Sequence, residues 1–187
     1  MEPTINEVRT AIKELKNNKA PGEDGVVGEL LKAGGEYLND KVYQLILRIW
    51  REEKVPRKWK KGIIIPILKK GDKMVCGNYR GITLLSCVYK IFAKILYRRL
   101  TPYTNEILGE YQCGFRGGRS TTDHLFTIRQ ILEKSWEFNI NHWHMFVDFK
   151  QAYDSVHRPS MWKILREFGI PIKIVNLVKA TYDGTEA

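Results

Sequence analysis

Residues 146–154 read FVDFKQAYD, and this stretch decides how the fold is interpreted. The run from His144 to Asp148 predicts a short buried strand that ends on a carboxylate. A carboxylate at the end of a strand is held rigidly at the edge of a sheet, where a hard cation such as Mg²⁺ can reach it. Asp148 therefore either binds such an ion, as in two-metal phosphoryl transfer, or caps a turn after a core strand. The nine residues alone favour neither role.

The charge of the chain is concentrated in one segment. The 187 residues carry 31 Lys and Arg against 21 Asp and Glu, a formal net charge of +10. From Arg57 to Arg99 there are 12 Lys or Arg and one acid, Asp72, so this basic segment has a balance of +11 and the remainder is nearly neutral. Such concentration favours a surface that faces a polyanion over one that only keeps the protein soluble.

Composition excludes several classes of protein. Hydrophobic residues at 43% and charged residues at 28% exclude a disordered or collagen-like chain. The three cysteines are far apart, which argues against a disulfide scaffold or a zinc site and fits a reducing compartment. The longest apolar run, Ile63 to Leu68, is interrupted by Pro66 and is too short to span a bilayer. We therefore expect an intracellular protein without a membrane partner.

Helical periodicity covers most of the chain, and one β-hairpin interrupts it. The hairpin is predicted from a strand over Gly62–Leu68 and a returning strand over Tyr79–Leu85, with a turn at residues 69–72. Helices are predicted from the capping signatures at Thr4 and Ser120 and from apolar residues at helical spacing. Four aromatic residues on these helical faces are expected in the core: Trp50, Phe92, Trp136 and Trp162. The predicted fold class is α+β, helix-rich with a basic β-hairpin.

Two segments have side chains suited to phosphate. Lys69, Lys70 and Arg80 lie at the ends of the predicted hairpin strands, where Arg forks around phosphate oxygens and Lys offers a point charge. Lysines that protect an edge strand from aggregation are the alternative. Residues 112–119, QCGFRGGR, combine glycines that allow close approach with the charges of Arg116 and Arg119, but they match neither the dinucleotide fingerprint nor the Walker A pattern.

Five blocks of sequence resemble the reverse transcriptases of non-LTR retrotransposons of the long interspersed element type. They are NKAPGEDG (18–25), IPILKKGD (65–72), NYRGITLLS (78–86), QCGFRGGRST (112–121) and VDFKQAYDSV (147–156). The blocks keep their order and span nearly the whole chain, which makes the resemblance specific although no single block would suffice.

The resemblance implies a right-hand polymerase fold, with about residues 1–140 mainly fingers and about residues 141–187 the start of the palm. It implies RNA-directed DNA polymerase activity by two-metal phosphoryl transfer, with Mg²⁺, or alternatively Mn²⁺, as the cofactor. The implied partners are an RNA template, a DNA primer and deoxynucleoside triphosphates (dNTPs). Cytoplasm and nucleus are the expected locations, and the oligomeric state stays open.

Site residues are carried over by position. Asp148 matches the first catalytic aspartate and metal ligand of the palm, and the backbone carbonyl of Phe149 matches a second oxygen ligand. Tyr153 matches the aromatic residue that packs under the incoming sugar and disfavours a 2′-hydroxyl.

Two further sets of residues match the fingers. Lys69 and Arg80 correspond to residues that contact the nucleotide triphosphate, with Lys70 as the alternative to Lys69 because the register of the hairpin is open. The segment from Gln112 to Ser120 corresponds to one near the template strand, which makes Lys70, Gln112, Arg116 and Arg119 candidate nucleic-acid contacts.

The sequence also departs from the family. The second palm motif of these enzymes ends in two adjacent aspartates, and this sequence has no Asp-Asp pair. We therefore expect a fragment that lacks the second palm motif and the thumb, is inactive alone, and is prone to aggregate or partly molten because its palm strand has an unpaired edge. One alternative is a non-catalytic RNA- or DNA-binding retroelement remnant. Another is a helical protein-interaction domain whose charge only solvates it.

Overall fold

A computed structural model describes residues 1–186 of the chain. In these residues seven α-helices accompany one two-stranded antiparallel sheet, which confirms the predicted helix-rich chain with one hairpin. The elements are α1 (Ile5–Lys13), α2 (Gly28–Ala33), α3 (Gly35–Glu52), β1 (Ile63–Leu68), β2 (Tyr79–Leu84), α4 (Cys87–Ile107), α5 (Thr121–Glu137), α6 (Arg158–Glu167) and α7 (Ile172–Tyr182).

Both predicted capping signatures start a helix. At α1, Oε2 of Glu7 accepts from the Thr4 N–H at 2.7 Å, and the Thr4 hydroxyl accepts from the Glu7 N–H at 3.3 Å. Ser120 and Asp123 form the same reciprocal pair at α5. These contacts satisfy backbone donors that a helix N-terminus leaves free, so a local sequence signal is sufficient to place both starts.

The main core lies between α1, α3 and α4, with α7 packed against α4. Trp50 and Phe92 are buried, as predicted, and Val8, Ile46 and Ile91 are completely buried beside them. Trp162 packs partly buried against a second, smaller cluster around Ile174.

The hairpin is held to this core at both ends. Just before β1, the buried ring of Trp59 lies 5.8 Å from the ring of Tyr89 and 5.9 Å from that of Phe92. At the other end, α4 begins at Cys87, only three residues after β2 ends at Leu84. The sheet therefore projects from the first turns of α4.

The strands pair in a single register, with Ile63 opposite Leu84 and Ile67 opposite Arg80. Pro66, which has no N–H to donate, lies opposite Gly81 in a sheet where both strands are edges, as its predicted edge position requires. The returning strand ends one residue earlier than predicted, at Leu84.

The prediction that Trp136 belongs to the core is wrong. Its side chain is 89% exposed, and Leu125 and Leu132 on α5 are also exposed. Helical spacing shows that α5 has an apolar face, but the described part of the chain packs no other element closely against it. Periodicity predicts a face and not the partner that buries it.

The predicted strand over residues 144–148 is also absent from the structure. These residues are irregular, and Met145, Phe146 and Val147 are exposed. A strand needs a neighbour for its backbone N–H and C=O groups. Within residues 1–186 the only sheet is the hairpin, and neither of its strands pairs with this segment.

Candidate functional site

Lys69 and Arg80 lie on the same face of the hairpin. Lys69 extends β1, since its N–H donates to the carbonyl of Asn78 at 2.8 Å. Side chains alternate along a strand, so Lys69 shares a face with Ile67, and Ile67 is directly opposite Arg80. Lys70 lies one residue further, in the bend beyond the paired strands. The register therefore places Lys69, and not Lys70, beside Arg80.

The connection between the strands is organised by its own hydrogen bonds. Asn78 Nδ2 donates to the Asp72 carbonyl at 2.8 Å, Asp72 Oδ1 accepts from the Met74 N–H at 2.9 Å, and the Tyr79 hydroxyl donates to the Lys73 carbonyl at 2.9 Å. Gly71 takes a positive φ of 81°, which a side chain would disfavour. These contacts give the tip of the hairpin a defined shape.

The cations of the basic segment fall into two groups. Lys94 and Arg98 both pair with Glu14, the residue that follows α1, and Arg99 pairs with Glu7 of α1 at 2.8 Å, so three cations of α4 share two carboxylates. The remaining cations form no ion pair among residues 1–186: Arg57, Lys58, Lys60, Lys61, Lys69, Lys70, Lys73, Arg80 and Lys90. The uncompensated positive charge therefore lies around the hairpin and the first turn of α4.

The pairing lowers the carboxyl pKa of both acids, Glu7 in α1 and Glu14 directly after it. Partial burial opposes ionisation of Glu7, but hydrogen bonds from Thr4 and Arg99 prevail and hold the pKa of its carboxyl below its ordinary value of 4.5. The pKa of Glu14 is lowered chiefly by the hydrogen bond from Lys94. The ionised forms of both carboxylates, which pair with the cations of α4, are thus favoured.

The glycine-rich segment at residues 112–119 is a compact turn. Arg116 Nη1 donates to the carbonyl of Gly109 at 2.9 Å, Arg119 pairs with Glu110, and Gln112 Nε2 donates to the Gly114 carbonyl at 3.1 Å. The three predicted nucleic-acid contacts of this segment therefore also shape the turn. The same side chains that suggest phosphate binding in the sequence therefore also stabilise the turn in the structure.

Asp148 and Phe149 lie in the exposed segment that precedes α6. In the described chain, Asp148 has no side-chain hydrogen bond and no ion pair, so its carboxylate is open to an external partner. Phe149 is 74% exposed. Within residues 1–186, neither a side-chain hydrogen bond nor an ion pair joins Asp148 to the tip of the hairpin.

The structure does bring Tyr153 to the glycine-rich segment. The rings of Tyr153 and Phe115 meet edge to face, with centroids 6.3 Å apart at an interplanar angle of 83°. Phe115 adopts a positive φ of 59°, which is unusual for a residue other than glycine. Sequence reasoning did not select Phe115, because a contact across 38 positions leaves no local pattern.

The residues present supply part of a Mg²⁺ site. Carboxylate and carbonyl oxygens are the donors that Mg²⁺ prefers, and it commonly binds through one or two carboxylates, water and substrate phosphates. Asp148 and the Phe149 carbonyl have this chemistry. However, residues 1–186 contain no group of three or more His, Cys, Asp or Glu placed to hold a metal.

None of the helices in residues 1–186 is long and apolar enough to cross a membrane.

Comparison with known proteins identifies the class. The family described as reverse transcriptase (RNA-dependent DNA polymerase) matches residues 67–186, which is more than half of the chain. The chain therefore belongs to the reverse transcriptase family.

Relatives narrow this to mobile elements. The chain is 31% identical over 175 residues to the probable RNA-directed DNA polymerase from transposon BS of Drosophila melanogaster, covering 89% of this chain and 19% of that protein. It is 28% identical to the Pol polyprotein from type-1 retrotransposable element R1 of Bradysia coprophila, covering 96% and 18%, respectively. It is also 28% identical to the RNA-directed DNA polymerase from mobile element jockey of Drosophila melanogaster, covering 95% and 20%. The resemblance to non-LTR retrotransposon enzymes is thus confirmed, and the chain spans at most a fifth of the length of these curated relatives.

Proposed function

We propose that the chain forms the fingers (about residues 1–140) and the start of the palm (about residues 141–187) of an RNA-directed DNA polymerase of a non-LTR retroelement. The observation that carries this proposal is the placement of Lys69 and Arg80 on one face of a rigid basic hairpin, within the stretch that matches the family. Two neighbouring cations that form no ion pair within residues 1–186 suit the negative charge of a nucleoside triphosphate.

In the proposed polymerase, Asp148 and the Phe149 carbonyl hold Mg²⁺ together with ligands from other parts of the palm. The metal would supply charge stabilisation for phosphoryl transfer. Asp148 is exposed and forms no ion pair within residues 1–186, which supports this role, since a carboxylate already paired with Lys or Arg would bind a cation less well. Tyr153, supported by the ring of Phe115, would lie under the sugar of the incoming nucleotide.

The template and primer would lie along the uncompensated cations. Lys70 at the hairpin tip and the segment from Gln112 to Arg119 are proposed contacts, because exposed Lys and Arg side chains and close glycine backbone suit a phosphate chain. Cytoplasm and nucleus remain the proposed locations, where such a polymerase meets RNA and DNA.

A second function, RNA or DNA binding without catalysis, is favoured by one observation. A two-metal reaction needs several carboxylates, and the described residues contain no group of three or more His, Cys, Asp or Glu placed to hold a metal. We therefore expect the 187-residue chain to bind nucleic acid without extending a primer. Template-dependent extension by the purified chain that Asp148→Ala abolishes would show that this expectation is wrong.

The nucleotide site can be tested separately from catalysis. We expect photocrosslinking of a dNTP analogue with Mg²⁺ to fall by about tenfold in Lys69→Ala and in Arg80→Ala, because each removes a charge-assisted contact. Lys58→Ala removes a cation of the segment before β1 that also forms no ion pair within residues 1–186, and it serves as the matched control. A larger loss in Lys70→Ala than in Lys69→Ala would contradict the assignment of Lys69.

A further inference from the structure

The loop formed by residues 18–25 is fitted tightly against the junction between β2 and α4. Gly22 is buried there, and a Cβ at this position would lie 2.6 Å from the Ser86 nitrogen and 2.7 Å from the carbonyl carbon of Leu85. Real Cβ atoms do not approach backbone atoms this closely. The backbone of Leu85 and Ser86 therefore leaves room only for glycine at position 22. None of the polymerase roles proposed above involves this residue.

The side chain of Asp24 binds the same junction. The Ser86 hydroxyl donates to Asp24 Oδ2 at 2.6 Å, and Asp24 Oδ1 accepts from the Val26 N–H at 3.1 Å. Ser86 is only 8% exposed, so water does not readily replace this partner. Hydrogen bonds to an ionised group are among the stronger ones in proteins.

Ser86 gives up a common helical role to make this contact. It is the N-cap residue of α4, where serine usually accepts from a backbone N–H of the first turn, yet its side chain makes no capping hydrogen bond. Its hydroxyl is directed to the loop instead. The carboxylate of Asp24 thereby lies near the N-terminus of α4, where negative charge is favourable.

The contact lies where it can affect the orientation of the hairpin. Ser86 follows the end of β2 at Leu84, and β2 carries Arg80. In the described chain the two strands pack chiefly on each other, and their isoleucines are about half exposed. The direction of the hairpin is therefore fixed at its two ends, by Trp59 before β1 and by Ser86 after β2.

We infer that Gly22, Asp24 and Ser86 form a brace that sets the direction of the hairpin, and that Asp24 is a positioning residue for Lys69 and Arg80. The brace follows from contacts in the structure. Its consequence for the nucleotide rests on the proposed function of the two cations.

Hydrogen exchange measured by mass spectrometry tests the brace in the 187-residue chain. In Asp24→Asn and Ser86→Ala, amides of both strands should exchange about tenfold faster, in line with the loss of a charge-assisted hydrogen bond, while the buried turns of α3 keep their protection. Ser86→Thr keeps the hydroxyl and should retain most of the protection. Gly22→Ala should reproduce the loosening by steric displacement, without a change of charge.

Glu23→Gln is the matched control. Glu23 lies next to Asp24 and loses the same charge, but it has no side-chain hydrogen bond or ion pair within residues 1–186. We expect its hairpin to exchange like that of the unchanged protein. Unaltered exchange in all three brace variants, or equal acceleration in the hairpin and in α3, would overturn the brace whatever a polymerase assay shows.

A steady-state measurement addresses the positioning role, using an active polymerase that contains this chain. Asp24→Asn should raise KM for the dNTP about tenfold and change kcat little, as expected if the cations are displaced but still present. If Lys69→Ala raises KM and Asp24→Asn does not, the positioning role is wrong. If neither variant changes KM, the proposed nucleotide contact fails, while the exchange result still decides the brace.

Discussion

The division of the basic segment into paired and unpaired cations predicts two different effects on RNA binding. The variant Lys70→Ala/Lys73→Ala removes two exposed cations that have no ion pair in the described chain. The variant Lys94→Ala/Arg98→Ala removes two that both pair with Glu14. Each variant lowers the formal net charge from +10 to +8, so overall charge does not distinguish them.

The expected magnitude follows from counterion release. Each phosphate contact on a single strand contributes about 0.7 to the slope of log affinity against log salt, so loss of both hairpin contacts should reduce the slope by about 1.4. When salt rises from about 50 to about 200 mM, the factor by which affinity falls should therefore be about seven times smaller for this variant than for the unchanged chain. The Lys94→Ala/Arg98→Ala slope should stay within error of the unchanged one.

Fluorescence anisotropy with a labelled single-stranded RNA, titrated at several salt concentrations, measures these slopes. Circular dichroism of each variant controls for folding, since loss of the α1–α4 ion pairs affects stability. Equal reductions of slope in the two variants would refute the distinction between paired and unpaired cations. An unchanged slope in the hairpin variant would show that the hairpin tip does not contact the RNA.

Four further predictions follow from individual contacts. Phe92→Ala empties a fully buried site and should lower the free energy of unfolding by about 3–5 kcal/mol in urea denaturation, whereas Trp136→Ala on exposed α5 should change it by less than about 0.5 kcal/mol. Because the folded-state pKa of Glu7 is depressed, its contribution to stability is present above pH 4.5 and is lost as pH falls through the folded pKa. The thermal midpoint of Glu7→Gln should therefore depend less on pH below 4.5 than that of the unchanged chain, and parallel curves would contradict this. Asp148→Ala removes a carboxylate that has no side-chain hydrogen bond or ion pair in the described chain, and it should leave the melting temperature unchanged; a clear loss would assign Asp148 a structural role. The exposed Trp136, Phe146 and Val147 predict self-association of the chain, which sedimentation velocity at several concentrations would detect; a monomer throughout, with one sharp thermal transition, would show this to be wrong.

Features that depend on neighbouring residues were predictable from the sequence. Thr4 and Glu7 specify the start of α1 because the whole capping box lies within four positions. The hairpin was predictable from β-branched runs around a glycine-containing turn, although only the strand register distinguishes Lys69 from Lys70 as the neighbour of Arg80.

Features that depend on distant partners were not predictable. The basic segment was expected to form a surface that faces a polyanion, but Lys94, Arg98 and Arg99 pair with acids 80 or more positions away. Trp136 has the helical spacing of a core residue and lacks a covering element in the described chain, and residues 144–148 have strand composition without a strand to pair with. The contact of Phe115 with Tyr153 is of the same kind, since a tertiary contact is not encoded in either local pattern.

The α1–α4 contact bears on where this domain can be divided. The family match begins at residue 67, yet α1 and α3 lie before it and supply Val8, Ile12, Ile46 and Trp50 to the core. A protein shortened to the matched stretch would expose the inner face of α4 and release three cations from their acids. The stretch covered by the family match is therefore narrower than the packed core, and expression boundaries or chimaeric exchanges within this family should be placed before α1.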